Sequence, residues 1–227
     1  SPSHTLFQGN SEAYLNLLKL SYITVKTADP NAVVLIAAPS KWTPEVVEYW
    51  EPILDGGSNF FDVGNMHSLQ GSDDFHASEY RRQLDDSGSE SKPFWITEAG
   101  VFMGGKALEQ EELARITIPN YASAFAAGAQ VVFRLSRGHN TGQVLETYLL
   151  AARTFGDFTE ATGLAENVVQ FDMPDGRVVF ALWDDGTLPM EVTGKVKVIT
   201  YDGEESSQDA SAVMAQVPTM VVVEPKV

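Results

Sequence analysis

Glu98 closes the apolar run Pro93-Phe94-Trp95-Ile96-Thr97 and is followed by Ala99-Gly100. An acid placed there, just before a glycine that lets the backbone turn away, is presented at the end of a strand, where a carboxylate can attack an electrophilic carbon or carry a proton. It could instead cap the next turn or pair with Arg134, because ion pairs also occupy such positions. The neighbouring strand ends are polar too: Ser40-Lys41-Trp42, Asn65-Met66-His67-Ser68, and Arg134 with Ser136-Arg137-Gly138-His139. Asn65, His67 and His139 offer hydrogen bonds, Trp42 offers an aromatic plane, and the guanidiniums of Arg134 and Arg137 can grip a carboxylate by paired hydrogen bonds. Each has a structural alternative: His67 as a satisfied histidine, Trp42 as packing at a helix entry, Arg134 as the counter-ion of an acid. Trp50 and Trp183 read as core.

The elements that must hold these groups follow from periodicity. Tyr14, Leu17, Leu18, Tyr22 and Val25 make one helical stripe that ends before Asp29-Pro30. The run 32–38 is apolar without alternation, as in a parallel strand covered on both faces. Thr43-Pro44-Glu45 starts a second helix, with a hydroxyl for the orphan amides, a proline at the first turn and an acid facing the positive dipole end. A strand over 60–67 and a helix over 75–84 follow. The strand 93–98, a helix over 108–127 with Pro119 inside it, the strand 130–135 and a helix through Val144, Tyr148, Leu149 and Phe155 complete the series. This alternation predicts right-handed βαβ units around a parallel sheet, hence an α/β class. From about Asn167 the rhythm changes to short alternating runs, such as 178–183, 196–201 and 220–223. Asp175-Gly176, Asp185-Gly186 and Asp202-Gly203 turns separate them, which predicts a separate antiparallel unit.

Composition removes several function classes. The net charge of -16 repels phosphate backbones and anionic membranes, and no Lys/Arg cluster offers a local exception, so no nucleic-acid partner and no membrane insertion are expected. With zero cysteines there is no disulfide framework and no thiolate chemistry. His4, His67, His76 and His139 lack metal-ligand spacing, and the acidic pairs at 73/74, 85/86 and 184/185 read as solvated turns, so no metal or cofactor is expected. Nucleotide-binding glycine loops and a Gly-x-Ser-x-Gly elbow are absent.

The segment Lys92-Pro93-Phe94-Trp95-Ile96-Thr97-Glu98-Ala99-Gly100 resembles the seventh-strand motif of clan A glycoside hydrolases, in which the Glu is the nucleophile. Phe7-Gln8-Gly9, Tyr14, Asp29-Pro30 and Phe61-Asp62-Val63 before His67 are similar in order to the family 39 branch and its relatives. The resemblance implies residues 1–160 as strands five to eight, half of a TIM (β/α)8 barrel, and 161–227 as a small antiparallel β-sandwich. It implies a retaining glycosidase with a carbohydrate substrate and Glu98 as nucleophile; for such a substrate the polar strand ends themselves offer Asn65, His67, Trp42, Arg134 and His139 as binding residues, Trp42 stacking on a sugar face. Retaining hydrolysis needs a second carboxyl group about 5 to 5.5 Å away. The family keeps that acid/base in an Asn-Glu pair just upstream of the Phe-x-Gly segment, and this chain has no Asn-Glu dipeptide. The acid/base is therefore expected from sequence outside this chain. The open sheet edges are expected to be covered by the N-terminal half of the barrel, in the same protein or a separate chain, or by a homodimer. Two departures stand out: Leu69 replaces a tyrosine that holds the nucleophile in the family, and 132–135 lacks the tryptophan that floors its sugar site. They leave open a second reading, a non-catalytic carbohydrate-binding or cell-surface structural protein. The residues at Ser1 lack the basic start and apolar core of a secretion leader, and the abrupt start reads as a segment of something longer. An extracellular or cell-surface location is expected.

Overall fold

Asn10 starts the first helix by accepting the Ala13 amide on its side chain at 2.9 Å, and α1 (Ser11–Ala28) runs to the cap at Asp29. The computed structural model describes residues 7–40, 42–69, 74–100, 109–135 and 142–225. Among the described residues five helices form where the periodicity places them: α1, α2 (Pro44–Gly57), α3 (Ala77–Asp86), α4 (Gln110–Ala126) and α5 (Gln143–Phe155). Three strands, β1 (Gly64–Ser68), β2 (Phe94–Ala99) and β3 (Ala129–Arg134), pair in parallel in the order β1-β2-β3. The protein is thus a mixed α/β molecule with one parallel sheet and, further along the chain, one antiparallel sheet.

Contacts divide the chain into two units that are not consecutive segments: α1, α2, α3 and β1 to β3 form one, while α4 and α5 group with the later strands. In the first unit α2 buries Val46, Trp50, Ile53 and Leu54. Among the residues of α1, by contrast, Leu18 is buried while Leu17 and Leu20 are 46% and 65% exposed. Gly64 is required where α3 meets the sheet: a Cβ there would lie 2.9 Å from Leu84 Cδ1, 3.0 Å from Phe94 Cβ and 3.1 Å from the Tyr80 hydroxyl.

The run 32–38 departs from its expected form. It is held beside β1 by a single bridge, Leu35 to Val63, and by bonds from Ile36 N–H to the Val63 carbonyl and from Val63 N–H to the Val34 carbonyl. Side chains, not a second strand, take two of its donors: Asp62 Oδ2 accepts the Val34 amide at 2.7 Å and the Tyr14 hydroxyl accepts that of Ala37 at 3.0 Å. The segment is not covered on both faces, since Val33 is 61% exposed. Backbone donors must be satisfied whether or not a neighbouring strand exists, and here side chains from α1 and the approach to β1 supply the acceptors.

In the second unit six strands form one antiparallel sheet: β4 (Glu160–Ala165), β5 (Val168–Asp172), β6 (Val178–Leu182), β7 (Lys195–Thr200), β8 (Glu205–Asp209) and β9 (Thr219–Val223), in the order β4-β5-β6-β9-β7-β8. Gly176 and Gly203 take positive φ at the expected turns, as do Asp184 and Asp185 at the third. The central strands β6 and β9 are buried on nearly every residue, so both faces are covered. On one, Phe171 stacks on Phe155 with centroids 4.4 Å apart, and Phe125 and Phe158 close the cluster from the helical side. On the other, Phe180, Leu182, Val196, Val198 and Val221 pack with Ala210 and Val213. Two-sided burial explains why β6 reads as a continuous apolar run.

Candidate active site

Period-two alternation sorts β1 and β2 into two faces. Gly64, Met66 and Ser68 are buried while Asn65 and His67 are only partly so. On β2, Phe94 and Ile96 are fully buried, and the Phe94 ring meets Tyr80 of α3 edge-on at 5.4 Å. Strict alternation would send Glu98 to the same side as Ile96. The ladder prevents it. Ile96 pairs with Met66 and Val132, but the next partners are Glu98 with His67 and Ala99 with Arg134. β2 therefore carries one residue more than either neighbour at Thr97-Glu98, a bulge that re-aims a side chain. Its result is that Thr97 and Glu98 both meet His67.

The contacts are specific. Thr97 Oγ1 donates to Asn65 Oδ1 at 2.7 Å and lies 3.0 Å from His67 Nε2. His67 Nδ1 stands 3.6 Å from Glu98 Oε2, with the side chains 25% and 40% exposed. Burial holds the His67 imidazole below its ordinary value, and the Glu98 carboxylate pulls the other way. The ring is accordingly neutral near pH 7, and the carboxylate is reachable from solvent.

Each group rests on packed supports. The Asn65 backbone N–H donates to the Tyr80 hydroxyl at 2.9 Å; burial pushes that phenol far up, so it stays un-ionised. Beyond Glu98 the ladder continues, with Gly100 N–H on the Ser68 carbonyl and Leu135 N–H on the Ala99 carbonyl. Arg134, half-buried, sits opposite Ala99 at the same end of the sheet.

The structure thus brings Asn65, His67, Glu98 and Arg134 to adjoining positions at the carboxyl ends of three neighbouring strands. Trp42 is placed differently: its ring stacks on His76 at 5.5 Å and meets Tyr80 edge-on at 5.9 Å, so part of the indole is used in packing against α3. His139, Arg137, Ser136 and Lys41 lie outside the described residues. Sequence reasoning missed Thr97 as a functional group. The available signal was a hydroxyl residue directly before a strand-end acid, one position from where alternation would put it. Ser68 Oγ, at a strand end already noted as polar, and Trp95 Nε1 are both buried without a hydrogen-bond partner among the described residues. Also among the described residues, no group of three or more His, Cys, Asp or Glu is placed to hold a metal, and no helix is long and apolar enough to cross a membrane.

No protein-family profile and no curated protein matches this sequence. Solved structures do. A glucosidase from Croceicoccus marinus superposes with a TM-score of 0.58 at 14% identity, covering 97% of this chain and 66% of that one. A GH39 β-xylosidase from Caulobacter crescentus gives 0.57 at 12% identity, covering 96% and 63%. AbfB, a family 51 α-L-arabinofuranosidase from Bifidobacterium longum, gives 0.55 at 10% identity, covering 95% and 63%. The chain therefore spans about two thirds of the length of the structures it matches, and what it shares with these glycoside hydrolases is their fold.

Proposed function

We propose that this chain is a retaining glycoside hydrolase, or the C-terminal piece of one, acting on O-glycosidic bonds of poly- or oligosaccharides, with Glu98 as the nucleophile. The observation that carries the reading is the bulge in β2, which turns the carboxylate at the end of the central parallel strand onto the face that bears Asn65 and His67. Catalytic groups belong at that end of a parallel barrel. In this reading residues 1–160 are half of a (β/α)8 barrel and 161–227 a β-sandwich domain. Asn65, His67, Trp42, Arg134 and His139 bind substrate. Location outside the cell or at its surface is part of the same proposal.

The acid/base comes from outside this chain. The N-terminal half of the barrel supplies it and covers the apolar side chains left exposed in the first unit, Leu20 at 65%, Val33 at 61% and Phe133 at 50%. The longer matched structures leave length for such a half; a second copy of this chain is the other candidate cover. In the first step a Glu98 oxygen forms a bond to the anomeric carbon as the bond to the leaving oxygen breaks and the acid/base protonates it. Water then cleaves the glycosyl ester with inversion a second time, so configuration is retained.

In the complete protein, Glu98→Gln should lower kcat on an aryl glycoside by on the order of 10^4-fold or more, the scale seen when a hydrolase loses its nucleophile, with the fold intact by circular dichroism. Undiminished turnover removes the assignment. Leu69, where the resembled family has a tyrosine, favours the non-catalytic alternative; sugar binding without turnover by the unaltered complete protein would establish it.

A further inference from the structure

The chain Asn65, Thr97, His67 fixes a proton as well as a position. A threonine hydroxyl has one proton. The Asn65 oxygen 2.7 Å away can only accept, so that proton is committed to it. The Thr97 oxygen is left to accept from His67 Nε2 at 3.0 Å. A neutral imidazole has one N–H, so Nδ1 then carries a lone pair. The spacing on the other side agrees. Nδ1 and Glu98 Oε2 are 3.6 Å apart, outside hydrogen-bond range, whereas a proton on Nδ1 would draw the carboxylate to about 2.8 Å.

We propose that Asn65 and Thr97 are positioning residues that hold His67 in its Nε2-protonated tautomer, so that Glu98 faces a lone pair instead of an N–H donor. The tautomer stands on the geometry alone; its use rests on the reading of Glu98 as nucleophile. A hydrogen bond to a carboxylate stabilises the anion and blunts it. A neighbouring lone pair leaves the anion with both oxygens free to react, while the ring still fills the space beside it. Thr97 and Asn65 touch no reacting atom and act through His67.

The test is a long-range 1H–15N correlation spectrum of the uniformly labelled full chain at pH 8, without substrate. The chain has four histidines, and His67→Gln identifies the signals that vanish. The expected spectrum shows His67 with a protonated-type Nε2 and an unprotonated-type Nδ1. Thr97→Ser preserves this pattern and Thr97→Val, which removes the acceptor, moves it toward Nδ1 protonation. Should Thr97→Val fail to fold, Asn65→Ala releases the hydroxyl proton to the ring and serves instead. An Nδ1-protonated or evenly mixed His67 in the unaltered chain overturns the proposal, as does a spectrum indifferent to these substitutions. In the complete enzyme Thr97→Val should lower kcat about tenfold, the scale of one hydrogen bond, with KM little changed and recovery in Thr97→Ser. The spectrum needs no turnover, so failure of the tautomer and failure of the nucleophile assignment are read separately.

Discussion

At the residue scale the geometry of the candidate site turns on one misalignment. Thr97 and Glu98 together oppose His67, and the carboxylate reaches the open face only because β2 is one residue longer there than its neighbours. Glu98 was legible from sequence as an acid ending an apolar strand before a glycine. The bulge was not, because it is a property of the ladder between three strands, and alternation along β2 alone points the wrong way. His67 carries a pH prediction. Its folded-state value is depressed, by burial first and against the pull of Glu98, so its contribution to stability is complete above the unfolded value of about 6.5. That contribution is lost as pH falls through the folded value, where the half-buried ring must charge. Urea unfolding from pH 8 to 5 should show the unaltered protein losing more stability than His67→Gln; parallel curves would count against the depressed value.

At the scale of elements, the approach to β1 is tied to α1 through Asp62. Its oxygens accept from the Tyr22 hydroxyl at 3.1 Å, the Val34 amide at 2.7 Å and the Lys26 ammonium at 2.8 Å. Burial opposes its charge, but these donors outweigh it and hold the carboxyl below its usual range. Asp62→Ala should lower stability, because the Val34 amide, the Tyr22 hydroxyl and the Lys26 ammonium lose their shared acceptor. In the unaltered protein the contribution is full above the unfolded value of about 3.9 and disappears as pH falls through the lower folded value, which acid unfolding compared with Asp62→Ala will show. Gly64→Ala should cost about 1–3 kcal/mol by overpacking, because Phe94 Cβ, 3.0 Å from the added carbon, belongs to a neighbouring strand and cannot retreat; chemical denaturation measures it. The helices were legible from their stripes, from the Thr43-Pro44-Glu45 start and from the Asp29-Pro30 stop, whereas the Asn10 cap of α1 was not read from the sequence. What was not legible was which apolar faces would be covered. Leu17 and Val25 fit the α1 stripe and Val33 fits a buried strand, yet all three stay exposed, since burial depends on what packs against an element and not on its own pattern.

At the scale of the whole molecule, the change from strand-helix alternation to short antiparallel runs was readable near Asn167, and both sheets form. The grouping of α4 and α5 with the later strands was not. The ring cluster of Phe125, Phe155, Phe158 and Phe171 joins the two helices to β5, and its members, spread over two helices, the stretch after α5 and a strand, share no local period. Phe171→Ala should cost about 3–5 kcal/mol, since that ring is fully buried, with the loss visible as a lower urea midpoint. Leu20→Lys, at a position 65% exposed, should leave the stability of this chain within about 0.5 kcal/mol, read from the same urea midpoint.

The most direct test uses a leaving group that needs no proton. From a 2,4-dinitrophenyl 2-deoxy-2-fluoroglycoside, dinitrophenolate departs as the anion without the acid/base while the carboxylate bonds to the anomeric carbon, and the fluorine slows hydrolysis of the ester that forms, so the nucleophile is trapped as a covalent adduct. Peptide mass spectrometry of the complete protein should find one fluoroglycosyl group on the peptide containing Glu98, and none in Glu98→Gln. An adduct on a different carboxylate, with Glu98 unmodified and the sugar turned over, would contradict the account.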